Sequence, residues 1–331
     1  MPDIKIFVSH RIDIDSELID NPLYVPVRCG AVFDKENPMN IAGDDTGDNI
    51  SERRMSFCEF TVQYWAWKNI KADYYGLCHY RRYLSFAEKR FVTDEFNMVH
   101  NAVLTPGCKH KYGLLDKGAM QEMISQYDIV VSEYAPVKNI PTPHGKKNTV
   151  REFWDTHDGE YFEKTYIDLM FELIDKLAPG YSKSAREYFS GTQHRGFNCY
   201  VMKKELFDRL CKFQFPIMFE VERRIDTTGY TQTMKRTPAF IGEMLYGIFV
   251  YHVTTYEQWK AKELQLVFFS STERIKSKDD LLRRQLWYYA DRLLRKITDP
   301  IFPKGSERRE KLKKIFFRAT GAKRRGAAEI K

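Results

Sequence analysis

Short apolar runs alternate with segments of helical periodicity along this chain, and that alternation restricts the fold more than any other feature. Ile4-Lys5-Ile6-Phe7-Val8, Tyr24-Val25-Pro26-Val27, Tyr74-Tyr75-Gly76-Leu77-Cys78 and Ile129-Val130-Val131 each have the length of a buried strand, and Phe197–Met202 reads as another. Phe57, Phe60, Tyr64, Trp65 and Lys68 recur at helical spacing, which predicts a helix capped by Asn49 or Ser51, with Glu52 in its first turn, running to Lys68. Further helices are predicted over residues 160–178, ended by Pro179-Gly180, over Lys204–Phe213 and over Glu243–Val253. The Pro-, Gly- and Lys-rich segment 136–149 reads as a loop. Strands alternating with helices give an α/β class with a mostly parallel central sheet flanked by helices. Ligands of such sheets bind beyond the carboxyl ends of the strands, so Ser9-His10, His79–Arg82 and Asp128 are expected along one rim.

Length and charge divide the chain. Its 331 residues exceed one ordinary domain, and we expect a catalytic-size domain over 1–272 with a helical basic extension over 273–331. The chain holds 53 Lys and Arg against 45 Asp and Glu, but residues 304–331 alone hold eleven against three, so residues 1–303 balance at 42 of each. A neutral body with a cationic tail points to a domain tethered to something anionic rather than to a nucleic-acid-binding surface. Leu282, Leu286, Tyr289, Leu293 and Ile297 share one helical face. After Pro300 and Pro303, Leu312, Ile315, Phe316 and Ala319 share another, beside Arg308, Arg309, Lys311, Lys313, Lys314 and Arg318. That is the pattern of an interfacial helix, with a solvated tail as the alternative.

The six cysteines form no CxxC pair, and Met1 leads at once into a strand-like run rather than a secretory signal, so a reduced, cytoplasmic protein is expected. No apolar run approaches the length of a membrane span.

The sharpest chemical signal is His79-Tyr80-Arg81-Arg82, delivered at the end of a strand. Adjacent guanidinium groups cannot shed their charge and therefore need anions, either the phosphates of a ligand or internal carboxylates. For general-base chemistry, Glu243 follows an apolar stretch, Pro238-Ala239-Phe240-Ile241-Gly242, and is read as opening a helix whose N-terminus would lower its pKa while burial raises it. Glu220, Glu222 and Asp226 are competitors. His194-Arg195-Gly196-Phe197-Asn198 sets polar groups before a strand, suited to hydroxyl recognition. Metal motifs of the HExxH, paired CxxC or EF-hand type are absent, which leaves Asp44, Asp45, Asp48 and Asp128 as the oxygen donors for a hard cation. Dinucleotide, P-loop, serine-hydrolase and kinase motifs are absent as well.

Asp48-Asn49-Ile50-Ser51-Glu52, Phe57-Cys58-Glu59-Phe60-Thr61 with Tyr64-Trp65-Ala66-Trp67-Lys68-Asn69, and Tyr75-Gly76-Leu77-Cys78-His79-Tyr80-Arg81-Arg82-Tyr83 resemble the signature blocks of a bacterial capsular-polysaccharide biosynthesis glycosyltransferase family long catalogued as a domain of unknown function. Tyr127-Asp128-Ile129-Val130, Asn198 with Val201-Met202-Lys203-Lys204, and Arg236 with Phe240–Leu245 extend the likeness to residues 3–255. The resemblance implies a GT-A-like nucleotide-binding fold and sugar transfer in capsule or O-antigen assembly, with UDP-galactofuranose a candidate donor. On that reading Ser9, His10, Asn49, Glu52, Arg81 and Arg82 would hold the nucleotide-sugar donor. His79 and Glu243 would be catalytic, and His194, Arg195, Asn198 and Arg236 would meet the acceptor or sugar. No cofactor is then required, with Mn or Mg as the alternative. The acceptor would be a lipid-linked oligosaccharide, and the enzyme would sit on the inner face of the plasma membrane through its basic tail. A metal-dependent transferase and a non-catalytic glycan-binding subunit are the rival readings.

Overall fold

The computed structural model describes residues 1–142, 144–301 and 311. Its strands are β1 (Ile4–Arg11), β2 (Tyr24–Cys29), β3 (Ala42–Gly43), β4 (Tyr74–His79), β5 (Arg82–Leu84) and β6 (Met98–Val103), followed by β7 (Ile129–Ser132), β8 (Ala135–Pro136), β9 (Gln193–His194), β10 (Tyr200–Lys203), β11 (Ala261–Leu264) and β12 (Leu266–Ser271). The seven-stranded main sheet runs β11-β7-β10-β4-β1-β2-β3. Its pairings are parallel except at β10, which runs antiparallel to both neighbours. The α/β class and the predominantly parallel sheet match the expectation from sequence.

Side-chain alternation along the strands builds two cores, because successive residues of a strand face opposite sides. Phe7, Tyr75, Leu77, Ile129, Val131, Tyr200 and Met202 face a helical layer. That layer contains Phe60–Asn69, Lys204–Arg224 and Thr237–Thr255. Ile6, Val8, Tyr74, Cys78, Val130 and Val201 face the opposite way. They meet a small sheet, β5-β12-β6, and the helix Lys117–Ser125. Among the described residues, no helix is long and apolar enough to cross a membrane.

Several element boundaries depart from the sequence reading, each for a local reason. The predicted helix over 51–68 is broken at Cys58, which sits at φ 49°, ψ −129° between the helices Arg54–Phe57 and Phe60–Asn69. Asn49 does not cap it. Its side chain closes a turn instead, accepting from Ser51 N at 3.1 Å and donating to Gly47 O at 3.0 Å. The helix containing Glu243 begins six residues earlier than predicted, at Thr237, with Pro238 in its first turn, where a missing N–H costs nothing. The helix from Lys204 runs on through Pro216 to Arg224. Phe197 and Asn198 are not strand: both have positive φ (72° and 37°) and form the turn that enters β10.

The C-terminal helix Lys278–Ile301 lies beyond β12, and its Asp280 and Arg284 form an ion pair at 2.7 Å. The Ile297 side chain, and the predicted short helix carrying Leu312, Ile315, Phe316 and Ala319, lie outside the described residues.

Candidate active site

Two strand directions converge on one rim of the sheet. β1 and β4 are parallel, with Ser9 opposite His79, so both deliver their last residues to the same edge. β10 is reversed, with Tyr200 opposite Leu77, so the residues just before it arrive at that edge too. His79, Arg81, Arg82 and Asn198 are thereby gathered from segments more than a hundred residues apart.

Glu243 completes the group from the helical layer, and a glycine makes this possible. A Cβ on Gly242 would lie 2.5 Å from the Phe60 ring, so the ring packs directly on the helix backbone. Gln214 reinforces the junction, accepting from Gln63 at 2.7 Å and donating to Gly242 O at 2.8 Å. Phe60 follows Glu59 and Gly242 precedes Glu243, so this contact sets two glutamates beside one another. Glu59 stands at the helix N-cap position, released from the helix by the turn at Cys58, and accepts from Asn198 Nδ2 at 3.2 Å.

Electrostatics give the glutamates and the basic groups unequal roles. The Glu243 carboxyl is pushed up to about 7, first by burial and then by the Glu59 charge, against the pull of Arg82, Arg236 and the Phe197 N–H. The helix N-terminus contributes little, because Glu243 lies well past the first turn, where the dipole effect fades; the expected lowering does not occur. His79 is held well below the usual imidazole range by burial and by Arg82, Arg81, Arg236 and His10. It is therefore a neutral ring. Its Nδ1 accepts from Arg81 N at 3.4 Å, which leaves the ring proton on Nε2. His10 is buried, and burial alone lowers its pKa to about 4, so it too is neutral.

Neither Arg81 nor Arg82 lies within the 4.0 Å ion-pair distance of a carboxylate among the described residues. Each is instead held by aromatic faces, Arg81 with Phe268 at 5.2 Å and Tyr80 at 5.7 Å, and Arg82 with Phe197 at 4.6 Å and Phe268 at 5.5 Å. The buried Nε atoms of both have no hydrogen-bond partner among the described residues. Arg236 donates from Nε to Cys58 Sγ at 3.0 Å, and the Cys58, Glu59 and Glu243 charges hold its pKa above the ordinary value. Backbone strain accumulates around the same groups, since Cys58, Phe197 and Asn198 are all non-glycine residues at positive φ.

The remaining predicted site residues divide. Ser9 is buried on β1, its carbonyl accepting from Tyr80 N at 3.1 Å. His194 is buried with its pKa lowered to about 3, and Gly196 passes close by: a Cβ there would come within 2.8 Å of His194 Nε2 and 3.8 Å of Glu243 Oε2. Arg195 is not part of the group, because it is ion-paired to Glu263 and its guanidinium sits 3.7 Å over the Tyr134 ring. Asn49 and Glu52 lie on the loop before the helix, with Glu52 exposed and 3.9 Å from Arg53 Nε.

The competing carboxylates are placed elsewhere. Glu220 pairs with Arg223 and Arg224, Glu222 with Arg53 and Ser56, and Asp226 caps Thr228. Asp44 is fully buried and accepts from Gly30 N, Ala31 N, Ser51 Oγ and Thr61 Oγ1, which makes it the anchor of its loop. Asp128 precedes β7 and bonds Lys203 and Lys260 N at 2.6 and 2.8 Å. Since Lys203 registers with Tyr74, at the start of β4, Asp128 lies at the opposite end of the sheet from His79 and not on the expected rim. No group of three or more His, Cys, Asp or Glu suited to a metal ion occurs among the described residues. Glu59 is the residue that sequence reasoning missed, although it stands inside a quoted signature block. Its signal was a lone charge between the aromatic residues Phe57 and Phe60.

The fold has a solved counterpart. The apo structure of the WbbM bifunctional glycosyltransferase superposes with a TM-score of 0.73 at 27% sequence identity, over 83% of this chain and 47% of that one. The chain thus spans just under half the length of that relative. Among curated proteins none matches. Residues 5–254, which include every member of the rim cluster, match the family model described as a domain of unknown function, DUF4422. The chain belongs to the DUF4422 family.

Proposed function

We propose that the chain is a glycosyltransferase that moves a sugar from a nucleoside-diphosphate donor to a hydroxyl of a lipid-linked glycan in capsule or O-antigen synthesis. UDP-galactofuranose or another UDP-hexose is the candidate donor. One observation carries the reading: two guanidinium groups stand at the carboxyl end of a central strand without a carboxylate within ion-pair distance among the described residues, beside a glutamate with its pKa near neutrality. The likeness to part of a bifunctional glycosyltransferase supports it.

In this reaction the acceptor hydroxyl oxygen bonds to the anomeric carbon, the bond from that carbon to the diphosphate oxygen breaks, and the hydroxyl proton passes to Glu243. Arg81 and Arg82 neutralise the leaving diphosphate through charge-assisted hydrogen bonds, and the His79 Nε2–H donates one more. Preorganised cations of this kind do the work a divalent ion does elsewhere, so the chemistry is proposed to be metal-independent. Glu59 and Asn198 orient Glu243 and the sugar hydroxyls, with Arg236 at the edge and Ser9 and His10 bordering the nucleotide. Residues 1–272 form the catalytic unit. The basic extension over 273–331 is attracted to the anionic inner face of the plasma membrane, where a lipid-linked acceptor resides.

A screen of nucleotide sugars that reads released UDP, GDP or CMP, with and without EDTA, tests the reading. Arg82→Ala is expected to lower turnover by about a hundredfold or more, the scale of losing one transition-state charge contact, with the circular-dichroism spectrum unchanged. Absence of turnover with every donor would leave a glycan-binding subunit, and loss of turnover in EDTA would restore the metal-dependent reading.

A further inference from the structure

The C-terminal helix Lys278–Ile301 is docked the wrong way round for a soluble protein. Its side toward the body is anchored by polar groups, with Leu281 and Tyr288 half-buried beside them. Asp280 is buried, and Arg284 pairs with it while donating to Ser271 Oγ at 3.0 Å and Glu273 O at 2.9 Å. Its apolar side faces outward. Leu282, Leu286, Trp287, Tyr289, Leu293 and Leu294 are each between 55% and 72% exposed, a broad solvent-facing apolar surface interrupted near its N-terminal end by the exposed Asp279 and Arg283. At 100° per residue these six occupy one broad arc, while Asp280 and Arg284 lie across the axis from Leu282 and Leu293.

We infer that this outward face inserts into the interfacial layer of an anionic lipid bilayer. The inference rests on the proposed lipid-linked acceptor and locates the surface that reaches it. Charge selects the occupant. Arg283 stands within the apolar arc and Arg292 lies beside it, both exposed, and the chain continues into residues 304–331 with eleven Lys and Arg against three Glu. A second copy of the chain would bring the same excess charge against itself, whereas anionic headgroups complement it. The mix of side chains agrees, since leucines fill the acyl boundary and Trp and Tyr settle at headgroup depth.

The docking is coupled to the rim cluster. Arg284 is bonded to Ser271, the last residue of β12, and Phe268 of the same strand packs against both Arg81 and Arg82. A bilayer under the helix therefore fixes the orientation of the diphosphate site relative to the lipid surface.

The test uses the full chain with vesicles of phosphatidylcholine alone or mixed with phosphatidylglycerol. Wild-type protein is expected to co-sediment with the anionic vesicles. Its Trp287 emission, isolated by difference against Trp287→Phe, should shift to the blue. Leu286→Gln/Leu293→Gln should weaken vesicle binding about tenfold or more while leaving donor turnover on a soluble acceptor unchanged. Vesicle binding by this double variant equal to wild type overturns the inference. So does a stable dimer in lipid-free solution whose formation the same substitutions abolish. So does Trp287 emission already blue-shifted and shielded from soluble quencher without lipid, which would mean that residues 302–331 cover the face. Vesicle binding without any donor turnover would uphold the surface and fail the transferase reading, so the two are separable.

Discussion

Glu243 combines two properties that ordinarily oppose each other, the electrostatic pull of two nearby arginines and a pKa raised to about 7. Burial and Glu59 outweigh the cations, so this group can hold or release a proton around neutrality, which is what a general base needs. Turnover should rise with pH below about 7 and level off above it, and Glu243→Gln should abolish the pH dependence along with most of the rate; a pH profile of kcat/KM checks both. The same shift has a stability consequence of definite sign. Between 4.5 and about 7 the unfolded chain has lost this proton while the folded chain keeps it, so stability falls as pH rises across that window and is flat above it. Glu243→Gln should therefore be more stable than wild type at pH 8, by up to a few kcal/mol, with the gap closing below about pH 4.5; urea titrations at the two pH values measure it. Arg82 and Glu243 were readable from sequence because charged residues stand out beside apolar strands and helices. Glu59 was not, since its place depends on a ring-to-glycine contact between helices that no local pattern encodes. Asn49 misled as a cap because a turn and a helix cap use the same residue types.

The helix junction at Gly242 is the element on which the carboxylate pair depends. Gly242→Ala would drive a methyl group into the Phe60 ring, which is itself fully buried and has nowhere to go. Overpacking of this kind costs about 1–3 kcal/mol, so the midpoint of chemical denaturation should fall. Turnover should drop further than the stability loss explains, because the start of the Phe60–Asn69 helix and Glu59 move with the ring. Comparing Gly242→Ala with Gly242→Ala/Phe60→Leu separates the two effects, since the smaller side chain should recover both. The positions of β1, β2, β4 and β7 were readable at this scale from apolar run lengths, whereas β6, β11 and β12 were not anticipated. The direction of β10 was not, because a run of buried residues reads the same way in either orientation, and that reversal is what brings Asn198 to the rim. The helix start at Thr237 carried a signal, Pro238 in the first turn, that the apolar run after it obscured.

At the scale of the whole molecule, the sequence announced a neutral body and a cationic end, and residues 5–254 fall to one family model while the extension does not. What the sequence could not show is which side of the C-terminal helix meets the body, because an apolar stripe is usually assumed to face inward. Here ion pairing and hydrogen bonding of Arg284 hold the polar side instead. A globule that turns six large oily side chains to water behaves as a detergent does. In lipid-free buffer it should lower surface tension, spread at the air boundary and be lost to bare plastic at low concentration, and drop-shape tensiometry should show the effect vanish in Leu286→Gln/Leu293→Gln.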